Sequence, residues 1–204
     1  AVQYQGTKSG YIEVNQSNYQ DGNTTWSKQW VTNQKVIPIK QKQDYLLADV
    51  NSDKQLDLYI VNAATETTNA SVNILSGASD YKESINQSTT SLVEEGDTAT
   101  SYSVSDYDGN GSLDLYAVTY NYSDKLKLTV LDGSDQYKKA IISTVQPTTP
   151  TKGTRYYIAD HDQDGRGDIY SISPKSDQAV SVAVAVFNTP QTTQVLRSWD
   201  ATYQ

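Results

Sequence analysis

One nine-residue pattern of Asp and Asn occurs three times in this chain, at intervals of 57 and then 54 residues. Self-similarity at such a period is the mark of a repeat architecture, in which each unit buries its apolar face against the next. The copies place oxygen-bearing side chains at positions 1, 3, 5 and 9: Asp49, Asn51, Asp53 and Asp57; Asp106, Asp108, Asn110 and Asp114; Asp160, Asp162, Asp164 and Asp168. Their flanks repeat too, with Tyr45, Tyr102 and Tyr156 four residues before the first Asp and Tyr59, Tyr116 and Tyr170 two residues after the last. A second half follows the same period. Val72 to Gly77 with Tyr81 and Ile85 matches Leu128 to Gly133 with Tyr137 and Ile141, and Val182 to Phe187 takes that place in the third unit. The N-terminal piece, with Tyr11 to Asn15, Tyr19 and Trp26 to Val31, reads as a second half alone.

The apolar residues come in short runs rich in Val, Ile, Leu, Tyr and Thr, bounded by Gly, Asn, Asp and Ser, which is the pattern of strands. Leu56 to Val61, Leu113 to Val118 and Val180 to Phe187 are the clearest. No helical stripe is sustained for three turns. Four short strands per unit of about fifty residues is the spacing of propeller blades. The expected fold is therefore all-β, a β-propeller-like array of four-stranded antiparallel blades with about three and a half repeats visible. Residues 1–43 form a half-blade, and 44–98, 99–152 and 153–204 form three full ones, together one propeller domain. Three full units and a half make seven hairpins, which do not close a ring unaided. A flanking domain of a longer chain, or a second copy of this one, is expected to complete it.

The loops point to calcium. Ca²⁺ takes six to eight oxygen ligands, and alternate positions of a tight loop turn inward while the position 7 carbonyl fills a gap. Gln55, Ser112 and Arg166 supply that carbonyl here. Gly111 and Gly165 stand at position 6, where the turn asks for backbone freedom; Lys54 stands there in the first loop, which makes that loop the weakest of the three. An EF-hand would need a bidentate acid at position 12, and the chain has Ile60, Ala117 and Ser171. Loops two and three are thus expected to hold Ca²⁺, with loop one as a third candidate.

This arrangement resembles the FG-GAP/VCBS repeat family, whose blades carry an Asp-rich calcium loop between their first two strands, as in the propellers of integrin α-subunits and many secreted bacterial proteins. The Phe-Gly/Gly-Ala-Pro signature that names the family is missing. The resemblance implies the fold and calcium ligation at the matching positions, and implies no catalytic residue. It also implies adhesion or glycan binding, often beside wall-degrading enzyme domains, by analogy of fold.

Other chemistry is sparse. With no Cys, one His and no Gly-x-Ser-x-Gly, the sequence offers no nucleophilic triad, zinc cluster or phosphate loop. The conspicuous carboxylate clusters all lie in the calcium loops, so a glycan hydrolase, which needs a pair of its own, is the weakest reading. His161, between two ligand positions, is expected to face solvent. A net charge of −8 with no basic run argues against a nucleic-acid backbone as partner. No segment reaches the roughly 20 apolar residues of a membrane span. The chain lacks Met, which suggests a processed piece whose targeting segment, if any, was removed before residue 1. Polar, Tyr-rich, Cys-free composition suits a secreted or surface protein of a Gram-positive bacterium.

The expected function is that of a non-catalytic extracellular module recognising bacterial cell-wall polysaccharide or another glycan, the alternative being a protein-binding adhesion domain. Aromatic faces stack on sugar rings. Function on a repeat scaffold tends to sit where repeats differ, so the candidates are Trp26, Trp30, Tyr120, Tyr122 and Trp199, with Tyr120 and Tyr122 taken as exposed.

Overall fold

The computed structural model describes residues 2–3, 11–20, 23–35, 42–65, 67–93, 99–120, 126–146, 153–163, 167–176, 179–189 and 192–202. These form fifteen strands in four antiparallel sheets, with one short 3₁₀ turn over Gly77–Ser79 and no α-helix among the described residues. The first sheet holds β1 (Val2–Gln3), β2 (Tyr11–Gln20) and β3 (Asn23–Lys35), β1 adding to the β2–β3 hairpin. The second runs β4 (Gln43–Ala48), β5 (Asp57–Asn62), β6 (Ser71–Leu75) and β7 (Ser84–Thr89) in simple meander order. The third repeats it with β8 (Ala99–Ser105), β9 (Asp114–Tyr120), β10 (Leu126–Leu131) and β11 (Ala140–Gln146). The fourth does so with β12 (Arg155–Ala159), β13 (Asp168–Ser176), β14 (Ala179–Thr189) and β15 (Thr192–Thr202). The all-β, blade-like reading of the sequence holds.

Each Asp-rich loop joins the first and second strands of its sheet, and the registers are equivalent: Ala48 faces Asp57, Ser105 faces Asp114 and Ala159 faces Asp168. Equal register means that the three loops leave and re-enter their sheets at equivalent positions.

The second strands are the hearts of the sheets. β5 is buried from Asp57 through Val61 and β9 from Asp114 through Val118, on both faces, each as an inner strand of its sheet. Hence their runs of apolar residues are nearly continuous, where a half-buried strand such as β12 alternates.

The chain divides into two compact units, residues 1–63 with 71–87, and residues 64–70 with 88–204. In the first, Ile12 and Val14 of β2 meet Leu58, Ile60, Leu75 and Tyr81, with Trp30, Tyr45 and Leu47 closing the edge. In the second, Tyr107, Tyr116, Val118, Leu128, Val130 and Ile169 form the core, flanked by Ile142, Tyr156 and Ile158. Tyr116 is fully buried, and its hydroxyl accepts the Gly167 N–H at 3.1 Å. Gly167 is glycine for want of space: a Cβ there would sit 2.4 Å from Ile158 Cγ2 and 3.0 Å from the Tyr116 ring.

Candidate functional site

The loops are built by their own carboxylates. In loop two, Asp106 accepts the N–H groups of Gly109 and Gly111 on its two oxygens, both at 2.8 Å. Asp108 then accepts Asn110 N–H at 3.1 Å, and the Asn110 side-chain oxygen accepts Ser112 N–H at 2.7 Å. Loop one follows closely: Asp49 takes Asp53 and Lys54 N–H at 3.1 and 2.8 Å, Asn51 takes Asp53 N–H at 3.1 Å, and Asp53 takes Gln55 N–H at 2.8 Å. Each is a short polar side chain turning the backbone back on itself, which is why Asp and Asn alternate here.

Two positions of this turn are left-handed. Position 6 has φ +86° at Gly111 and +70° at Lys54, so loop one adopts the same backbone with a residue poorly suited to it. Position 4 is left-handed as well, at Ser52 (+60°), Gly109 (+76°) and Gln163 (+62°), which the sequence did not disclose because three different residues fill it.

The Asp at position 9 differs from the rest. Asp57 and Asp114 are completely buried and Asp168 nearly so. One oxygen of each accepts the N–H of position 2 of its own loop, from Val50 at 2.9 Å, Tyr107 at 2.8 Å and His161 at 2.7 Å. In the first two the other oxygen reaches past the adjacent strand's end to the N–H of Gly77 at 2.9 Å or Gly133 at 2.8 Å. These glycines follow the third strand, and a Cβ on them would stand 2.4 Å from Leu56 O or 2.1 Å from Leu113 O. The pair therefore ties the loop to the third strand by a close backbone approach that only glycine permits. Burial raises the Asp57 and Asp114 carboxyls above the ordinary range; the backbone hydrogen bonds oppose this and the neighbouring loop carboxylates add to it.

In loop two, Asp106, Asp108 and Asp114 each present a carboxylate oxygen within 4.8 Å of the others, and Asp160, Asp162 and Asp168 do so in loop three. Ligands at about 2.3–2.6 Å from a shared ion lie at most about 5 Å apart, so both triads fit one hard cation. Each oxygen that accepts an N–H keeps a second lone pair for it. Loop one brings Asn51 to position 3 instead of a third carboxylate of this kind. Asp164 and Arg166 lie outside the described residues.

The aromatic candidates separate. Trp26 on β3 is 63% exposed. Trp30 is half-buried: its Nε1 donates to Asp80 at 2.7 Å, Tyr81 meets it edge-on at 5.8 Å, and Lys28 Nζ sits 4.3 Å from its ring centre. Tyr120 is not the exposed residue expected. It is 8% exposed, its ring lies 4.9 Å from that of Tyr156, and its hydroxyl donates to the Thr154 carbonyl, so it belongs to the core of the second unit. Tyr122 lies outside the described residues, and of Trp199 only the backbone, paired with Val182, is described. His161 is half-buried: its Nδ1 is 2.9 Å from the Tyr170 hydroxyl, and the two rings meet edge to face.

Meander sheets of three or four strands, each four-stranded one carrying an Asp-rich loop between its first two strands, define a blade-repeat protein. Residues 106–171 match the family model described as an FG-GAP-like repeat, a span running from Asp106 of loop two through loop three into β13. No curated protein and no solved structure matches the chain. FG-GAP repeats build β-propeller-type binding modules that are typically extracellular and non-catalytic. Among the described residues no helix is long and apolar enough to cross a membrane.

Proposed function

We propose that the chain is a non-catalytic, secreted or surface-exposed module that binds a glycan, foremost a bacterial cell-wall polysaccharide, and that loops two and three hold Ca²⁺. The observation that carries the reading is the pair of carboxylate triads, Asp106–Asp108–Asp114 and Asp160–Asp162–Asp168, repeated at one register on a scaffold of the FG-GAP type. When bound, the ion neutralises carboxylates that otherwise repel one another. The chain's own residues do the rest: Asp106 and Asp108 shape the loop, and Asp114 fastens it to the third strand. The exposed Trp26 offers an aromatic face for a sugar ring.

The test is a pull-down of the whole chain on purified Gram-positive cell walls and, in parallel, on immobilised matrix proteins, each with calcium and with chelator. Retention on walls that weakens in chelator supports the reading. Retention on matrix protein alone replaces it with protein adhesion, and release of soluble wall fragments would mark a hydrolase.

A further inference from the structure

The first unit contains a cavity of about 220 Å³ between the β2–β3 hairpin and the sheet β4–β7, at the ends of the strands away from the Asp-rich loop. Four of its lining residues, Gln43, Asn62, Asn73 and Gln87, come one from each strand of that sheet. The neighbouring sheet shows what the repeat puts at these positions. Gln43 and Asn62 are cross-strand partners, as are Thr100 and Thr119, whose hydroxyls meet at 3.1 Å. Asn73 and Gln87 correspond to Thr129 and Ser143, whose hydroxyls meet at 3.2 Å. The fourth sheet again has a hydroxyl pair at the Gln43–Asn62 position, Thr154 with Ser173 at 2.8 Å. In these three pairs, short hydroxyls close upon each other; at the Asn73 position the fourth sheet has Ala183. Here alone, among the described residues at these positions, longer amides replace them.

Three of these amides are already oriented. The Tyr45 hydroxyl donates to Gln43 Oε1, Gln43 Nε2 donates to Asn62 Oδ1 at 2.6 Å, and Asn62 Nδ2 donates to the Ser71 hydroxyl at 3.0 Å. The relay ends at Ser71, whose own proton is left for a ligand oxygen. Asn73 is fixed separately by the Ser84 hydroxyl, at 2.9 Å. Beneath them lie the buried side chains of Ile12, Ile60 and Val72. Lys35 is the one charged residue of the lining.

From this geometry we infer that the cavity is a subsite for a single pyranose ring, neutral or singly anionic. Oriented amides and a hydroxyl pair with ring hydroxyl or acetamido groups. The volume lies below the roughly 300–1,000 Å³ of pockets for larger ligands, which limits occupancy to one ring. With Lys35 on the wall and no carboxylate, a protonated amino sugar is disfavoured. The inference rests on the glycan reading above and gives it a place other than the exposed aromatics.

The experiment uses the full chain and the repeat's own alternative residues. Saturation-transfer NMR is run with N-acetylglucosamine, glucose, glucuronate and glucosamine, on the parent and on the fourfold variant Gln43→Thr, Asn62→Thr, Asn73→Thr, Gln87→Ser; wall retention is measured on both. The expected result is a signal for one or more of the first three sugars, none for glucosamine, and at least a tenfold loss in the variant with melting temperature little changed. Should the fourfold variant fold poorly, the pair Asn73→Thr, Gln87→Ser gives the same reading. No sugar signal from the parent, or an undiminished one from the variant, overturns the subsite. Wall retention equal in both proteins overturns the subsite and leaves the glycan reading standing. Sugar binding lost in the variant, with no wall retention by the parent, supports the subsite and removes the wall polymer as ligand.

Discussion

Replacing Asp114 by Ala separates two roles that one carboxylate combines. The side chain is fully buried and accepts two N–H groups at 2.8 Å, from Tyr107 and Gly133. Removing it strands both donors away from water, and a buried polar group left without its partner costs roughly 1–3 kcal/mol. Two such donors give about 4 kcal/mol, and for a chain of this size each kcal/mol lowers Tm by about 2–4 °C. The expected loss is therefore about 8–16 °C. The decisive measurement is thermal unfolding in excess EDTA, where no ion contributes. If the clamp is what matters, most of the loss persists in chelator. If Asp114→Ala melts within about 2 °C of the parent in EDTA and differs only with calcium present, the carboxylate acts as an ion ligand alone and the argument for the clamp fails.

Asp108 and Asp162 lie in the exposed part of their loops, and alanine at either should chiefly reduce the gain in Tm that calcium confers, a gain of about 2.7 kcal/mol at a hundredfold excess over Kd; a Tm indifferent to EDTA in the parent would refute calcium stabilisation. Asn51→Ala should change that gain less. Lys54 holds φ +70°, a conformation that costs an L-residue roughly 1–2 kcal/mol, so Lys54→Gly should raise Tm by a few degrees in a differential scan, and a fall would show that the Lys54 side chain contributes more than its backbone costs. Burial raises the Asp44 carboxyl above the ordinary range. The protonated form thus favours the fold, and that stability is present below the unfolded pKa and lost as pH rises through the folded one. Asp44→Asn should therefore raise Tm at pH 7 and leave it nearly unchanged near pH 3; a lower Tm at pH 7 would mean that the ionised carboxylate has a favourable partner.

Much of the molecule was legible from spacing. The Asp-rich loops, the strands on either side of them and the glycine at position 6 are local properties: a tight hairpin needs particular side chains at fixed offsets, and the sequence repeats them with each unit. What lay beyond reach depends on segments distant along the chain. Asp57 and Asp114 look like ligands equivalent to Asp49 and Asp106, yet they are also buried clamps, because Gly77 and Gly133 come to them from the end of the adjacent third strand, 20 and 19 residues away. Tyr120 broke the repeat and so looked available for binding, but Tyr156 and Thr154 of the next sheet cover it. The amide cavity was likewise silent, since Gln and Asn are common throughout this chain and only strand pairing brings those four to one place. The sequence by itself determined the turns and the period, because these are set by neighbours along the backbone. Tertiary structure decided which polar groups are clamps, which aromatics are core and where a cavity opens, because burial and hydrogen bonding across a sheet depend on register between strands that no local pattern records.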